Sequence, residues 1–116
     1  MRYLCAVYLK PNAFRGVSES EHAKLDRESV AYDRELAKKG KYIASSALQA
    51  PETAKTVRRR GKKVTVKDGP FAESKEVLGG FILIEAGDME EAVSIAKGIP
   101  VGKYASIEVR PEMKLG

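Results

Sequence analysis

The residues best placed to do chemistry lie in and beside one turn, Asp68-Gly69-Pro70-Phe71. Asp can bond its own backbone, Gly can take a positive φ and Pro fixes φ, so this order predicts a rigid turn that ends a strand. Rigid loops commonly hold functional groups. Asp68 is therefore a candidate general base, although the same residue type also caps turns without doing any chemistry.

A second candidate for acid/base chemistry is His22, the only histidine in the chain. Histidine side chains ordinarily exchange protons near neutral pH, but a histidine at a helix start is also commonly structural or exposed. Cys5, the only cysteine, excludes an intrachain disulfide and favours a small buried side chain. The sequence has neither a Gly-rich phosphate loop nor a His-Glu-x-x-His motif, so no cofactor and no metal site is predicted.

Eight elements are predicted to position these residues, in the order strand, helix, strand, strand, strand, strand, helix, strand. Ser18 with Glu21, and Asp88 with Glu91, are capping boxes that open the two helices. The order is that of an α+β, ferredoxin-like fold, with an antiparallel sheet covered on one face by two helices. The predicted bounds are strands over 1–9, 42–48, 53–60, 62–67, 81–86 and 104–110, and helices over 18–40 and 88–98.

Length and composition indicate one domain over residues 1–116, with 43% hydrophobic and 32% charged residues. No apolar run approaches the roughly 20 residues that cross a bilayer, so no membrane partner is predicted. The first nine residues have the pattern of a strand and not of a signal peptide. A cytoplasmic protein is therefore expected.

Positive charge is concentrated on the predicted hairpin over residues 55–67. A basic two-stranded ribbon could bind nucleic acid or another polyanion. The hairpin has no aromatic side chain on which a base could stack, and Lys and Arg also protect exposed strand edges from aggregation. The sequence favours the second explanation and keeps a polyanion partner as an alternative. The basic residues are Lys55, Arg58, Arg59, Arg60, Lys62, Lys63 and Lys67.

The Asp68 turn, the Gly79-Gly80 pair and the closing segment from Ser106 to Pro111 resemble the YCII-related proteins of the DGPF type, which are small bacterial proteins of mostly unassigned activity. The resemblance spans Glu35 to Glu112. It implies a homodimer in which two sheets pack face to face as a dimeric α+β barrel. Within it we expect a small-molecule pocket beside the Asp68 turn, in a binding protein or an acid/base enzyme. The residues predicted to bind the ligand are Tyr32, Ser46, Arg58, Glu73, Lys75 and Arg110.

Two departures limit what the resemblance implies. The founding YCII branch has a helix histidine proposed to act with an acidic residue, whereas the matching position here, counted from Gly40, is Ser29. Many relatives have Gly-Glu where this chain has Ser45-Ser46, so a carboxylate that could face the cleft is missing. Two other functions therefore stay open. One is an accessory module linked to transcription, since relatives occur beside or fused with extracytoplasmic-function sigma factors, and the other is a structural dimer.

Overall fold

The computed structural model describes residues 1–71 and 74–115. These residues form a four-stranded antiparallel sheet, two helices that cover one of its faces, and a separate two-stranded hairpin. The strands are β1 (Arg2–Leu9), β2 (Tyr42–Ala47), β3 (Lys55–Arg60), β4 (Lys63–Asp68), β5 (Val77–Glu85) and β6 (Ser106–Pro111), and the helices are α1 (Glu19–Lys38) and α2 (Met89–Lys97).

The strand order in the sheet is β2-β5-β1-β6, with every neighbouring pair antiparallel. Helix α1 connects β1 to β2, which lies beyond β5, and helix α2 connects β5 to β6, which lies beyond β1. This is the ferredoxin-like arrangement. The predicted α+β fold is confirmed. The hairpin of β3 and β4 is inserted between β2 and β5 and pairs only with itself in the described part of the chain.

The core lies between the sheet and the helices. Tyr3 and Cys5 on β1 are paired with Ile84 and Ile82 on β5, so the four side chains point to the same face. They pack against Leu36 on α1 and the alanines of α2. Cys5 is fully buried, as predicted, and this burial raises the pKa of its thiol to about 11. Among the described residues, no helix is both long enough and apolar enough to cross a membrane.

Both helices begin at the predicted caps. Ser18 Oγ accepts the backbone N–H of Glu21 at 3.1 Å, and Asp88 Oδ1 accepts that of Glu91 at 2.8 Å. At the end of α1, Gly40 takes the left-handed conformation with φ 71°. These local signals fix where each helix enters and leaves the sheet.

Three predicted strand starts were wrong. The strand predicted from residue 81 begins at Val77, because Gly79-Gly80 lies inside β5 and does not form a turn. A Cβ at Gly80 would lie 2.7 Å from the carbonyl oxygen of Ser46, so this glycine lets β2 approach closely. β3 begins at Lys55 and β6 at Ser106, since the segments before them form short 3-10 turns, Pro51–Thr53 and Pro100–Lys103.

No helix of the described residues lies against the other face of the sheet. Its central side chains are Leu4, half-buried Leu83 and half-buried Phe81, with Glu108 and Arg110 on the adjacent edge strand. We call this surface the open face. Leu4 is 37% exposed there. The sheet-to-sheet homodimer expected from the resemblance would use this face, and it stays a prediction.

Candidate functional site

A cleft of about 500 Å³ lies between α1 and the strands β2 and β5. The connection between β1 and α1, which carries Phe14, closes one end, and the residues around Pro100 contribute to another wall. Its volume is in the range of small-molecule sites. The polar side chains that line it are His22, Asp26, Ser29 and Asp33 from α1 and Ser45 from β2, and Ser46 is also among its lining residues.

The four polar residues of α1 are spaced by four, three and four positions. This spacing brings His22, Asp26, Ser29 and Asp33 onto one side of the helix, where residues four apart have Cβ atoms about 5–6 Å from each other. Leu25 lies within the same row and gives it an apolar surface. The helix therefore presents to the cleft an imidazole and two carboxylates beside an apolar surface.

A chain of hydrogen bonds fixes the inner end of this row. Ser45 Oγ donates to Asp33 Oδ2 at 3.0 Å, and the Tyr42 hydroxyl lies 2.8 Å from Ser45 Oγ. All three side chains are half-buried. Because Ser45 donates to Asp33, the Tyr42 hydroxyl must donate to Ser45. The chain holds the Asp33 carboxylate in place and leaves its other oxygen available as an acceptor.

His22 is held by aromatic contacts at the outer end of the row. Its ring centroid lies 5.0 Å from that of Phe14, and Phe14 in turn lies 5.4 Å from Tyr104. Such tilted ring pairs contribute about 0.5–1.5 kcal/mol beyond the area that they bury. The half-buried imidazole is thus oriented by Phe14 while it still lines the cleft.

The cleft has no basic side chain other than His22 among its described lining residues. Two carboxylates without a Lys or Arg partner there disfavour a phosphate or carboxylate ligand. They favour a ligand that donates hydrogen bonds through hydroxyl or amino groups. No group of three or more metal-ligating side chains occurs in the part of the chain that the structure describes.

A broader groove of about 760 Å³ lies between α2 and β6. Lys97 and Lys103 are its charged lining residues, and the others are apolar or glycine. Its described lining residues bring no acid and base together, so the smaller cleft is the better candidate for chemistry.

Two residues predicted for the site are among the lining residues of the cleft, namely His22 and Ser46. Ser46 is paired with Phe81, so its side chain points to the open face. Tyr32 does not line the cleft. Its hydroxyl donates to the backbone oxygen of Ile95 at 2.6 Å and so connects α1 to α2. Burial, with a smaller contribution from Cys5, raises the pKa of the Tyr32 phenol, which therefore remains a donor.

Asp68 lies at the end of β4, outside the cleft, with 86% of its side chain exposed. Its carboxylate pairs with Lys55. The next residue, Gly69, has φ 95°, its N–H donates to Ala54, and its carbonyl accepts from the Thr56 hydroxyl at 2.8 Å. The Asp68 turn thus closes the base of the hairpin, and catalysis by Asp68 stays a prediction that this location does not favour.

The remaining predicted ligand-binding residues are dispersed. Arg58 lies on the hairpin with its guanidinium 4.9 Å from the ring centroid of Phe71. Arg110 lies on the open face and pairs with Glu108 at 2.7 Å. Lys75 is exposed and does not line the cleft, and Glu73 lies outside the described residues.

Sequence reasoning missed Asp26, Asp33 and Ser45. Asp26 and Asp33 follow His22 by four and eleven residues. Both spacings are close to whole numbers of helical turns, so the two aspartates could have been placed on the same helix face as His22. Ser45 could not be told from Ser46 without the strand register, because neighbouring strand residues point to opposite faces. The pairing of Ser45 with buried Ile82 decides that it faces α1.

The sequence model of the YCII-related domain matches residues 1–114. The chain belongs to the YCII-related family. An uncharacterised protein of Rhizobium meliloti is 32% identical over 113 residues, which make up 96% of this chain and 91% of that protein. The family is thus shown over nearly the whole chain, beyond the segment that carried the resemblance.

Among solved structures, this YCII-related chain is similar to the 5-chloro-2-hydroxyhydroquinone dehydrochlorinase of Burkholderia phenoliruptrix AC1100, in complex with 2,5-dihydroxybenzoquinone. The TM-score is 0.55, and the match covers 100% of this chain and 96% of the other. The sequences are 19% identical, so the likeness shows a shared fold.

Proposed function

We propose that the protein binds a small hydroxylated molecule in the cleft between α1 and the sheet and transfers protons there with His22. The observation that carries this proposal is the convergence of His22, Asp26 and Asp33 on a cleft with no Lys or Arg in its described lining. A general base must reach the proton that it removes, and the imidazole of His22 lines the cleft where the ligand would lie.

The two carboxylates have separate roles in this scheme. Asp33 is held by Ser45 and accepts a hydrogen bond from a ligand hydroxyl, which orients the ligand. Asp26, one helical turn from His22, stabilises the imidazolium that forms when His22 takes a proton. The apolar wall that includes Leu25 and Phe14 contacts the hydrocarbon part of the ligand.

A hydroxylated ring is the ligand class that fits these groups. Its edge offers hydroxyl donors to Asp33 and His22, and its faces suit the apolar wall. The dehydrochlorinase with the same fold is named for a chlorinated hydroxyhydroquinone, which belongs to this class. The founding YCII branch has its helix histidine at the position of Ser29. In this chain the imidazole comes instead from His22, which lies about two helical turns, or roughly 10 Å, nearer the N-terminus of α1.

The first test is ligand binding by calorimetry with hydroquinone, and with benzoate as the anionic counterpart. We expect hydroquinone to bind and benzoate not to bind. His22→Gln and Asp33→Asn should each weaken hydroquinone binding by about tenfold, the cost of losing one hydrogen bond to the ligand. Asp68→Asn is the matched control because its side chain lies outside the cleft. Loss of binding in Asp68→Asn with retention in the cleft variants would place the site beside the Asp68 turn.

Chloride release from 5-chloro-2-hydroxyhydroquinone tests the catalytic part separately. If His22 is the base, His22→Gln should abolish chloride release, whereas Asp68→Asn should leave it unchanged. Binding of hydroquinone without any chloride release would support the ligand site and reject this reaction.

A second candidate function is polyanion binding by the hairpin of β3 and β4. It is favoured by one observation: Arg58, Arg60, Lys63 and Lys67 share one face of the hairpin, as the pairing of the strands requires. The affinity for a fluorescent oligonucleotide should then fall steeply between about 50 and 200 mM salt. The slope of log affinity against log salt concentration should be roughly proportional to the number of phosphates contacted. The variant Arg58→Gln/Arg60→Gln should make this slope less steep.

A further inference from the structure

The groove between α2 and β6 exists because α2 covers the edge strand incompletely. Helix α2 has nine residues, and its buried side chains are Ala92 and Ala96. Val109 of β6 is paired with buried Cys5, so it points to the core face, yet it is only half-buried. The small alanine side chains thus leave an open space of about 760 Å³ above β6, which is within the range of small-molecule sites.

The walls of the groove are apolar along its length. They are formed by Met89 and Val93 on α2 and by Ile107 and Val109 on β6. A helix rises about 1.5 Å per residue, so Met89 and Lys97 lie about 12 Å apart along α2. This length suits an extended hydrocarbon chain of medium length.

Both charged lining residues lie at one end of the groove. Strands β5 and β6 each pair antiparallel with β1, so they are parallel to each other, and α2 must run in the opposite direction between them. Lys97 in the last turn of α2 and Lys103 at the end of the 3-10 turn therefore lie near the start of β6. Met89 and Val109 lie at the other end. The groove has a positive end and an apolar remainder.

The positive end has no acidic counterpart in the groove. The described lining residues include no Asp or Glu. Within the described chain, neither Lys97 nor Lys103 pairs with a carboxylate. The ammonium nitrogen of Lys103 lies 5.7 Å from the ring centroid of Tyr104, and this cation–π contact restrains it. An anion at this end would be attracted by both lysines.

We propose that the groove binds a free medium-chain carboxylate, with its carboxylate beside Lys97 and Lys103 and its hydrocarbon chain along Val93 and Val109. This occupant matches both parts of the groove. A purely apolar partner would leave the two lysines without an anion, and a nucleic acid would leave the apolar walls uncovered.

The groove is the chemical opposite of the cleft between α1 and the sheet. The cleft has two carboxylates and no Lys or Arg in its described lining, whereas the groove has two lysines and no carboxylate in its own. The two sites should therefore take different ligands. This inference goes beyond the proposed function and does not depend on it.

Calorimetric titration of the full chain with octanoate tests the proposal. We expect octanoate to bind, and benzoate not to bind because its short apolar part reaches only the positive end. Lys97→Gln/Lys103→Gln should weaken octanoate binding by about tenfold or more, through the loss of two charge-assisted contacts. Lys62→Gln/Lys63→Gln removes the same charge from the hairpin and is the matched control. Absence of octanoate binding, or a loss no greater in Lys97→Gln/Lys103→Gln than in the control, overturns the proposal.

Octanol and a valine substitution separate the charged from the apolar contribution. Octanol keeps the chain and lacks the carboxylate, so it should bind more weakly than octanoate and be insensitive to the lysine substitutions. Val93→Thr keeps the branched shape and removes apolar surface, so it should weaken octanoate binding by about threefold or more. Val57→Thr, at an exposed valine outside the groove, is its control. Octanol that binds as tightly as octanoate would reject the role of the lysines.

Amide chemical shifts locate the bound octanoate. We expect shifts at Gly102, Lys103 and Ile107, which line the groove, and none at Ser29 and Ser45, which line the cleft. The reverse pattern would place octanoate in the cleft and overturn the proposal.

Two controls keep these results distinct from folding and from the cleft. Lys97 and Lys103 are exposed, so their substitution should not change the circular dichroism of the protein. Saturating octanoate should leave hydroquinone binding unchanged, and competition between the two ligands would overturn the groove as a separate site. Failure of octanoate to bind would not affect the proposed function, because hydroquinone binding is measured independently.

Discussion

The hydroxyl of Tyr32 occupies the space that a Cβ on Gly98 would need. A Cβ built at Gly98 lies 2.5 Å from the Tyr32 oxygen, and the same oxygen donates to the carbonyl of Ile95 at 2.6 Å. The side chain from α1 thus contacts the last turn of α2 in a gap that only glycine leaves. This contact fixes the separation of the two helices, and therefore the position of α1 above the sheet.

Gly98→Ala should destabilise the protein by about 1–3 kcal/mol, the usual cost of overpacking. Tyr32→Phe should cost about 1 kcal/mol for the lost hydrogen bond. The double variant should be less destabilised than the sum of the two, since the phenol oxygen is the nearest obstacle. Urea denaturation measures all three. Gly87→Ala is the control, because the nearest atom to a Cβ there is 3.8 Å away. Strict additivity would contradict the contact.

Substitution by alanine should cost more stability at Gly80 than at Gly79. A Cβ at Gly80 meets the backbone oxygen of Ser46 at 2.7 Å, whereas one at Gly79 meets the end of the Leu9 side chain at 2.5 Å. The backbone of Ser46 cannot move away from a new Cβ as easily as the end of the Leu9 side chain can. Gly80→Ala should therefore cost about 1–3 kcal/mol and weaken ligand binding in the cleft, while Gly79→Ala should cost less. Thermal unfolding and calorimetry distinguish them, and equal losses would contradict this account.

At the base of the hairpin formed by β3 and β4, Gly69 should matter more for stability than Asp68. Gly69 has φ 95°, where a Cβ is strained, so Gly69→Ala should destabilise the turn by about 1–2 kcal/mol. The Asp68–Lys55 pair is exposed, so Asp68→Asn should change stability by less than about 1 kcal/mol. Hydrogen exchange of the β3 and β4 amides measures how much each substitution destabilises the hairpin. Collapse of the fold in Asp68→Asn would show a structural role that its contacts do not explain.

Glu91 predicts a specific pH dependence of stability. The N–H of Gly87 donates to its carboxylate at 2.7 Å and Lys41 pairs with it at 3.1 Å, and these contacts, the backbone bond first, lower the pKa of Glu91 from its ordinary value of 4.5. The unfolded chain therefore binds this proton at higher pH than the folded one. The stabilisation is fully present above that ordinary value and is lost as pH falls through the lower folded pKa.

The measurement is the difference in melting temperature between wild type and Glu91→Gln from pH 7 down to pH 3. We expect wild type to be the more stable at pH 7 and the difference to shrink below pH 4.5. Glu90→Gln, at the exposed neighbouring position of the same helix, is the control and should show a smaller change. A difference that is constant with pH would reject the linkage.

The fold was predictable from sequence because its signals are local. The caps at Ser18 and Asp88 and the left-handed Gly40 fix the helices, and the alternation along β1 fixes the central strand. The predicted start of β5 was wrong because Gly79-Gly80 has the composition of a turn. Its role is a close approach between strands, which depends on a partner strand that local sequence does not show.

The site was less predictable, because it depends on which elements meet in space. Asp68 was predicted as a base because of the residue types in its turn. In the structure these residues close the base of the hairpin of β3 and β4. The row from His22 to Asp33 was visible as a helical period, but its orientation toward a cleft required the packing of α1. Ser45 required the register of β2 against β5, which a single strand sequence cannot supply.

The uneven distribution of charge along the chain governs the solution behaviour of the protein. Residues 55–68, the hairpin of β3 and β4, carry seven Lys or Arg residues and one Asp, so the rest of the chain has a net charge of −1. The whole chain has an isoelectric point near 9.4, yet the chain without this hairpin would be close to its isoelectric point at neutral pH. Proteins near zero net charge tend to precipitate, and mutual repulsion keeps charged ones dispersed. Solubility at neutral pH therefore depends on a 14-residue projection that contributes almost nothing to the core.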